Sequence, residues 1–386
     1  MKKIIYNPSL RSNIDSFYVM DLLYMANKLE ANGKKIFHLE LGEPQPKTPK
    51  KVLKEASLLS KKNLPGYTPS NGIEILREKI SKFYFSRYKL KIDKNQIFIT
   101  TGSSGAFLLS FLACFDPGAK VAIFSPVYPA YRNILKSLNI KVIEIFPNKK
   151  EIKKIDIDLI SKLKVDGLII SNPNNPNGQS FSKQELDYIY QICKKRNITL
   201  ISDEIYHGIE FDKSVCSMLN LGRNSIVINS FSKYFCMPGW RLGWVIIPEG
   251  LNKNFLKLSQ NLFISSGNIA QFSAVKVFEC LNELDALVNI YHKTRDEVCK
   301  RLLEIPTVKF FMPSGAFYIY LDISRTKMDS FDLVNTLMHE TGVVLTPGLD
   351  FDQKYGKNTV RLSFSSETKY VLEAVDRLSS WFKKNY

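Results

Sequence analysis

Residues 225–244 read SIVINSFSKYFCMPGWRLGW. A β-branched run, 225–229, stops at small polar residues, and a lysine follows among Phe231, Tyr234 and Trp240. The chain has 42 lysines and 12 arginines, yet Lys233 is the only lysine between Lys213 and Lys253. A lysine in such surroundings meets an anion, is partly desolvated, or does chemistry. A snorkelling lysine is the plain alternative, and the neighbouring elements decide between them.

The same pattern recurs along the middle of the chain. Residues 96–100 (QIFIT) read as a strand that ends at a Gly/Ser turn, followed by an apolar helix over 106–115. Residues 120–124 (KVAIF) end at Ser-Pro-Val-Tyr, 166–170 (DGLII) end at an Asn/Pro-rich turn, and 199–202 (TLIS) end at Asp203. Helical spacing separates them, as over 183–196. Apolar strands with helices between them predict a mostly parallel sheet covered by helices on both faces, an α/β fold. The ends differ. Residues 1–40 read as mainly helical, 281–303 as a long helix, 308–322 as a hairpin or strand pair, 360–364 as a strand, and the remainder to Lys384 as an amphipathic helix. A large unit over 46–285 is therefore expected, with a smaller α+β unit from 1–45 and 286–386 closing over the site.

Ligands of open α/β sheets bind beyond the carboxyl ends of the strands, and unusual polar residues gather there. Residues 101–106 (TGSSGA) open a helix with small residues, leaving amide groups free for an anion; a plain helix cap is the alternative. This stretch has neither the nucleotide P-loop pattern nor G-x-G-x-x-G. Residues 172–178 (NPNNPNG) make a rigid turn bearing carboxamides. In 202–206 (SDEIY), Asp203 closes a buried run, where a carboxylate is costly without a cationic partner or a capping role. Lys233 and Arg241 close the set. One ligand satisfies all of them, a phosphorylated pyridine aldehyde: lysine forms the imine, aspartate holds the protonated ring nitrogen, and the cradle with Arg241 takes the phosphate.

Together these motifs, from 41–44 (LGEP) to 360–364 (VRLSF), resemble the class I/II aminotransferases, the fold-type I enzymes dependent on pyridoxal 5′-phosphate. The resemblance implies that Lys233 is the Schiff-base lysine and proton shuttle, and that Asp203 pairs with the pyridinium nitrogen. Asn175 and Tyr206 would bond the ring hydroxyl. Ser103, Ser104 and Gly105, with Ser230 and Arg241, would bind the phosphate, and Tyr128 would stack on the ring. Tyr67, in 66–69 (GYTP), would reach the neighbouring subunit's phosphate, which implies a homodimer. Arg361, with Gly42 and Asn175, would hold the substrate α-carboxylate. The reaction implied is a ping-pong transfer of an amino group from an L-amino acid to a 2-oxo acid such as 2-oxoglutarate. The stacking aromatic here is tyrosine where tryptophan is frequent. Neither a lysine at position 104 nor an arginine near 263–267 supplies a second cation for a distal carboxylate, so aspartate, alanine, aromatic and other neutral donors all stay open. A C–S β-lyase on the same fold shares these motifs. A Ser-x-x-Lys acyl-hydrolase built on Ser230 and Lys233 is the alternative from another class.

Composition sets the remaining expectations. The net charge of +17 is spread along the chain without a block of like residues. It reads as a solvated lysine-rich surface, not as a nucleic-acid or membrane interface. The six cysteines form no C-x-x-C pair, which suits a reduced cytoplasmic protein. The four histidines show no metal-ligand spacing, and no apolar run approaches the ~18 residues of a membrane span.

Overall fold

The computed structural model describes residues 7–45, 47–62, 66–147 and 157–386. Residue 46, where the expected boundary between the two units falls, lies outside them. The strands, in chain order, are β1 (Phe37–His38), β2 (Ile97–Thr100), β3 (Lys120–Phe124), β4 (Lys141–Ile145), β5 (Gly167–Ser171), β6 (Thr199–Asp203), β7 (Ile226–Ser230), β8 (Gly243–Ile246), β9 (Tyr318–Asp322), β10 (Val343–Val344), β11 (Thr346–Pro347) and β12 (Thr359–Ser363). Seven of them form the central sheet in the order β2-β8-β7-β6-β5-β3-β4. All run parallel except β8, which is antiparallel to both of its neighbours.

Side chains alternate across each strand, so the sheet feeds two apolar cores. Along β5, Leu168 and Ile170 enter one core and Ile169 the other; on β6, Leu200 and Ile201 divide the same way. On one face the helix Gly102–Cys114 lays Ala106, Phe107 and Phe111 against Ile169, Ile201, Ile228 and Val245. Burying each large side chain contributes about 1.5–3 kcal/mol, which is why these strands read as continuous apolar runs. The helix Lys183–Arg196 has a full capping box between Ser182 and Glu185 and ends on Asn197 in the left-handed conformation, satisfying end groups of its backbone.

The other core continues into a second layer. There β11, β12 and β9 form an antiparallel sheet, and β1 pairs with β10. The helices Leu281–Leu303 and Thr368–Asn385 pack on each other. The expected hairpin over 308–322 is corrected: β9 pairs with β12, and within the segment only an isolated bridge joins Lys309 to Asp322. The two layers are stitched where Ala316 N–H donates to Ile209 C=O at 2.9 Å and Ser314 N–H donates to Gly178 C=O at 2.8 Å. Gly178 has φ +64, and a Cβ there would lie 2.5 Å from the Pro313 side chain and 2.8 Å from the Gly315 carbonyl, so this seam admits only glycine. Among the described residues no helix is long and apolar enough to cross a membrane.

Candidate active site

A cavity of about 320 Å³ lies between the carboxyl edge of the central sheet and the second layer. Its walls include residues that follow β2, β3, β5, β6 and β7, with Tyr318 and Arg361 coming from β9 and β12. The parallel strands all deliver their ends to one edge, so residues far apart in sequence meet there.

One corner is built for an anion. β2 turns at Gly102 into the helix Gly102–Cys114, and Ser103 and Ser104 of its first turn line the cavity. Gly102 has φ +68, and a Cβ there would lie 2.7 Å from Arg241 Nη2. Absence of a side chain thus lets the guanidinium sit over the helix N-terminus. Gly105 is buried in the same turn, and a Cβ would meet Thr101 Oγ1 at 2.6 Å. Arg241 is itself left-handed, with φ +50, and its Nη1 donates to the Pro238 carbonyl at 3.0 Å. No carboxylate among the described residues pairs with it. A cation without an acid, beside a helix N-terminus, suits a phosphate.

Lys233 and Asp203 face this cavity from β7 and β6. Lys233 is half-buried, and its amine donates to the Gly42 carbonyl. Burial pulls its ammonium down to about 8, helped by the Arg361 and Arg241 charges and opposed by Glu43 and Asp203. Asp203 is buried at the end of β6 and accepts from the Tyr131 hydroxyl and from Ile205 N–H at 3.1 Å. Burial pushes its carboxyl up to about 6, while Tyr131, Ile205 and the Lys233 charge hold it back. The pair therefore titrates on either side of neutrality, as acid and base groups of active sites do. Tyr131 was not singled out in the sequence. It lies on the helix Pro129–Ser137, three residues after Tyr128, and the two rings stand 5.6 Å apart, edge to face.

Arg361 holds the opposite side. Its Nη1 donates to Asn175 Oδ1 at 2.9 Å; its Nη2 donates to the Glu40 carbonyl and to Thr346 Oγ1 at 3.2 Å. The guanidinium is stacked on Tyr318 and Phe351, 4.4 and 4.7 Å from their ring centres. Its Nε is buried with no hydrogen-bond partner. Neutral oxygens orient the fork without neutralising it, so a carboxylate remains its natural complement. Tyr206 and Tyr318 share a hydrogen bond of 2.7 Å, and Gly42 packs so closely that a Cβ would lie 1.8 Å from Tyr318 Oη.

Most of the expected site residues thus converge: Gly42, Ser103, Ser104, Tyr128, Asn175, Asp203, Tyr206, Lys233, Arg241 and Arg361 all line one cavity. Ser230 has no exposed surface. Its hydroxyl donates to the Leu242 carbonyl at 3.0 Å and lies 2.9 Å from Ser232 Oγ, and it is Ser232 that lines the wall. Tyr67 does not line the cavity of its own chain and is 82% exposed. Sequence reasoning also missed Tyr318, Phe351 and the N-terminal residues Phe17, Val19 and Met20, which complete the walls. Behind Asp203, Glu204 is fully enclosed and accepts from Met218 N–H and Ser217 Oγ, each at 2.8 Å, and from Ser202 Oγ at 3.2 Å. Burial pushes its carboxyl up to about 8. Among the described residues no group of three or more His, Cys, Asp or Glu could hold a metal.

Known proteins share this sequence and fold. The family model for aminotransferase class I and II matches residues 34–378. A valine–pyruvate aminotransferase of Mycobacterium tuberculosis is 36% identical, over 97% of this chain and 98% of that one. A (5-formylfuran-3-yl)methyl phosphate transaminase of Methanocaldococcus jannaschii is also 36% identical, over 96% and 98%. The crystal structure of an aminotransferase from Mycobacterium tuberculosis superimposes with a TM-score of 0.95 at 34% identity, covering 98% of this chain and all of that one. With the family match spanning nearly its whole length and its cavity built as described, this chain belongs to the class I and II aminotransferases and is an enzyme of that family.

Proposed function

We propose that the cavity binds pyridoxal 5′-phosphate and that the enzyme moves an amino group from an L-amino acid to a 2-oxo acid by a ping-pong mechanism. The observation that carries this reading is one cavity holding a desolvated amine, a buried carboxylate and two arginines with no carboxylate partner among the described residues. The two arginines call for two anionic groups, which a phosphate and an α-carboxylate supply. The cofactor, when bound, offers an aldehyde carbon to the donor's nitrogen and a protonated ring that draws electron density from the donor's Cα.

The chain's own residues have separate tasks. Ser103, Ser104 and Gly105 with Arg241 hold the phosphate, and Ser230 backs Ser232 at the same corner. Asp203 keeps the proton on the ring nitrogen, and Tyr131 orients Asp203. Asn175 and Tyr206 bond the ring hydroxyl, and Tyr128 covers one ring face. Arg361, Asn175 and Gly42 fix the α-carboxylate. Lys233 Nζ would hold the cofactor's aldehyde carbon and, once displaced, would move the proton at the donor's Cα. An amine brought down to about 8 is about one-tenth neutral at pH 7, against about 0.03% for an ordinary lysine. Tyr67 reaches the phosphate of a second copy, making the working unit a homodimer. The large unit of 46–285 carries the cofactor, and the small unit closes over it. The six free cysteines support a reducing, cytoplasmic setting.

Ser230 has no exposed surface and its hydroxyl is engaged, which weighs against the Ser-x-x-Lys hydrolase. The deciding experiment incubates the holoenzyme with a panel of amino donors, with and without pyruvate or 2-oxoglutarate. Keto acid that appears only with an acceptor supports transamination. Pyruvate and ammonia released from a cysteine conjugate without an acceptor would make the enzyme a C–S lyase instead.

A further inference from the structure

Glu40 supports Arg361 through its main chain while its side chain bonds elsewhere. It follows β1 and has no exposed surface. Its carbonyl accepts from Arg361 Nη2 and, at 2.9 Å, from Thr346 Oγ1. The preceding residue is held on both sides: Leu39 N–H donates to the Val344 carbonyl at 3.1 Å, and Ser363 N–H donates to the Leu39 carbonyl at 2.8 Å. The Glu40 carbonyl is therefore fixed on the fork of Arg361. Of the carboxylate, Oε1 lies 2.7 Å from His38 Nδ1, and Oε2 is buried with no hydrogen-bond partner among the described residues. A buried carboxylate with one oxygen unbonded is costly unless a cation balances it.

His38 can gain or lose that balancing charge. Its side chain is 20% exposed and borders a depression of about 360 Å³, separate from the active-site cavity but sharing Leu41 with it. Facing the imidazole besides Glu40 is Glu30 of the helix Tyr18–Ala31, 3.4 Å from Nε2. From the helix Thr368–Asn385, the Tyr370 hydroxyl accepts from His38 N–H at 2.7 Å, and Glu373 engages Lys35 at 2.7 Å; Glu367 lines the same depression. The hydrogen bond to Glu40 raises the His38 pKa above its ordinary 6.5, opposed by burial and aided by Glu30. Below that point His38 balances Glu40. As pH rises through it the imidazole becomes neutral, and Arg361, held on the Glu40 carbonyl, is left to offset the acid. Whatever part of its field goes to Glu40 is lost to a bound carboxylate.

We propose that His38 and Glu40 are a positioning pair for Arg361: protonated His38 neutralises Glu40 and leaves the guanidinium to the substrate's α-carboxylate, so carboxylate affinity follows the charge on a residue outside the cavity. The inference rests on the reading of Arg361 given above. The coupling is reciprocal, so a bound carboxylate must in turn hold the proton on His38.

The test uses propanoate, which has a carboxylate and no amine, on the cofactor-loaded enzyme. Its inhibition constant against an amino donor is measured from about pH 6 to 9 in wild type, His38→Asn and Glu40→Gln. Wild type should weaken about fivefold across the His38 titration, beyond any limb that all three proteins share. Both variants should lack that step, and they should lie at opposite levels. His38→Asn should be weak throughout, because the acid has no counter-charge, and Glu40→Gln tight throughout, because there is no acid to offset. KM for the donor should follow the same order with little change in kcat. A reading independent of turnover comes from NMR of the four histidines, with His38 assigned by its absence in His38→Asn. With propanoate at saturation, His38 should bind its proton about fivefold more tightly. A step kept in His38→Asn, both variants weakened alike, or a His38 titration unmoved by propanoate would each overturn this inference and leave transamination standing. An enzyme that converts no donor and binds no propanoate would overturn the aminotransferase reading as well.

Discussion

Tyr131→Phe isolates the support of the buried acid. The Tyr131 hydroxyl donates to Asp203 and is one of three influences that hold its carboxyl at about 6 against the pull of burial. A hydrogen bond to a charged group is worth about 1.5–3 kcal/mol, which corresponds to about one to two pKa units. Removing it should move Asp203 to between about 7 and 8. At pH 7 the wild-type carboxyl is about 90% ionised; the variant's would be between about 50% and 10%. If ionised Asp203 holds the ring nitrogen, affinity for pyridoxal 5′-phosphate at pH 7 should fall by about two- to tenfold. It should recover by pH 9. The assay is a titration of the apoenzyme with the cofactor, followed by fluorescence quenching from pH 5 to 9. Wild type should show an acidic limb near 6 and the variant a limb displaced upward. Coincident limbs would refute the coupling between this hydroxyl and the acid.

Other perturbations probe separate parts of the structure. Gly102→Ala forces a side chain into a left-handed conformation and against Arg241; it should lower unfolding free energy by about 1 kcal/mol and weaken cofactor uptake, read by denaturant melts and by titration. Arg361→Lys keeps the charge but loses the fork, so KM for the donor should rise by about 10- to 100-fold while binding of inorganic phosphate stays as it was. Glu204 is raised to about 8 from an ordinary 4.5. The folded state therefore holds its proton more tightly than the unfolded state, and stability falls as pH rises between those values. Glu204→Gln removes that slope, so the variant should gain about 2 kcal/mol relative to wild type between pH 6 and 8, measured by urea unfolding; parallel curves would contradict the buried-acid account.

The site was legible where local chemistry is unusual. Asp203 at the end of an apolar strand and Lys233 isolated among aromatics each break the pattern of their surroundings, and breaks of that kind mark function. The buried parallel strands were legible for a related reason, since both of their faces need apolar residues. β4 was harder, because its residues Lys141 and Glu144 interrupt the apolar run, and Glu144 pairs with Arg132 at 2.7 Å. β8 goes unread, since its four residues carry little periodicity. Tyr131 carries no local signal, because its partner lies 72 residues away. Asp350 accepts from Tyr18 N–H and Val19 N–H across more than three hundred residues, which no local pattern encodes. For Ser230 and Ser232, strand alternation and a tight turn decide which hydroxyl reaches the cavity, and a sequence shows only that both are near.

In the proposed function Lys233 carries the cofactor. The direct measurement is to load the protein with pyridoxal 5′-phosphate, reduce it with borohydride, digest it and map the pyridoxyl group by mass spectrometry. One modified peptide, containing Lys233, is expected at close to one group per chain. Label scattered over surface lysines, with Lys233 unmodified, would contradict it.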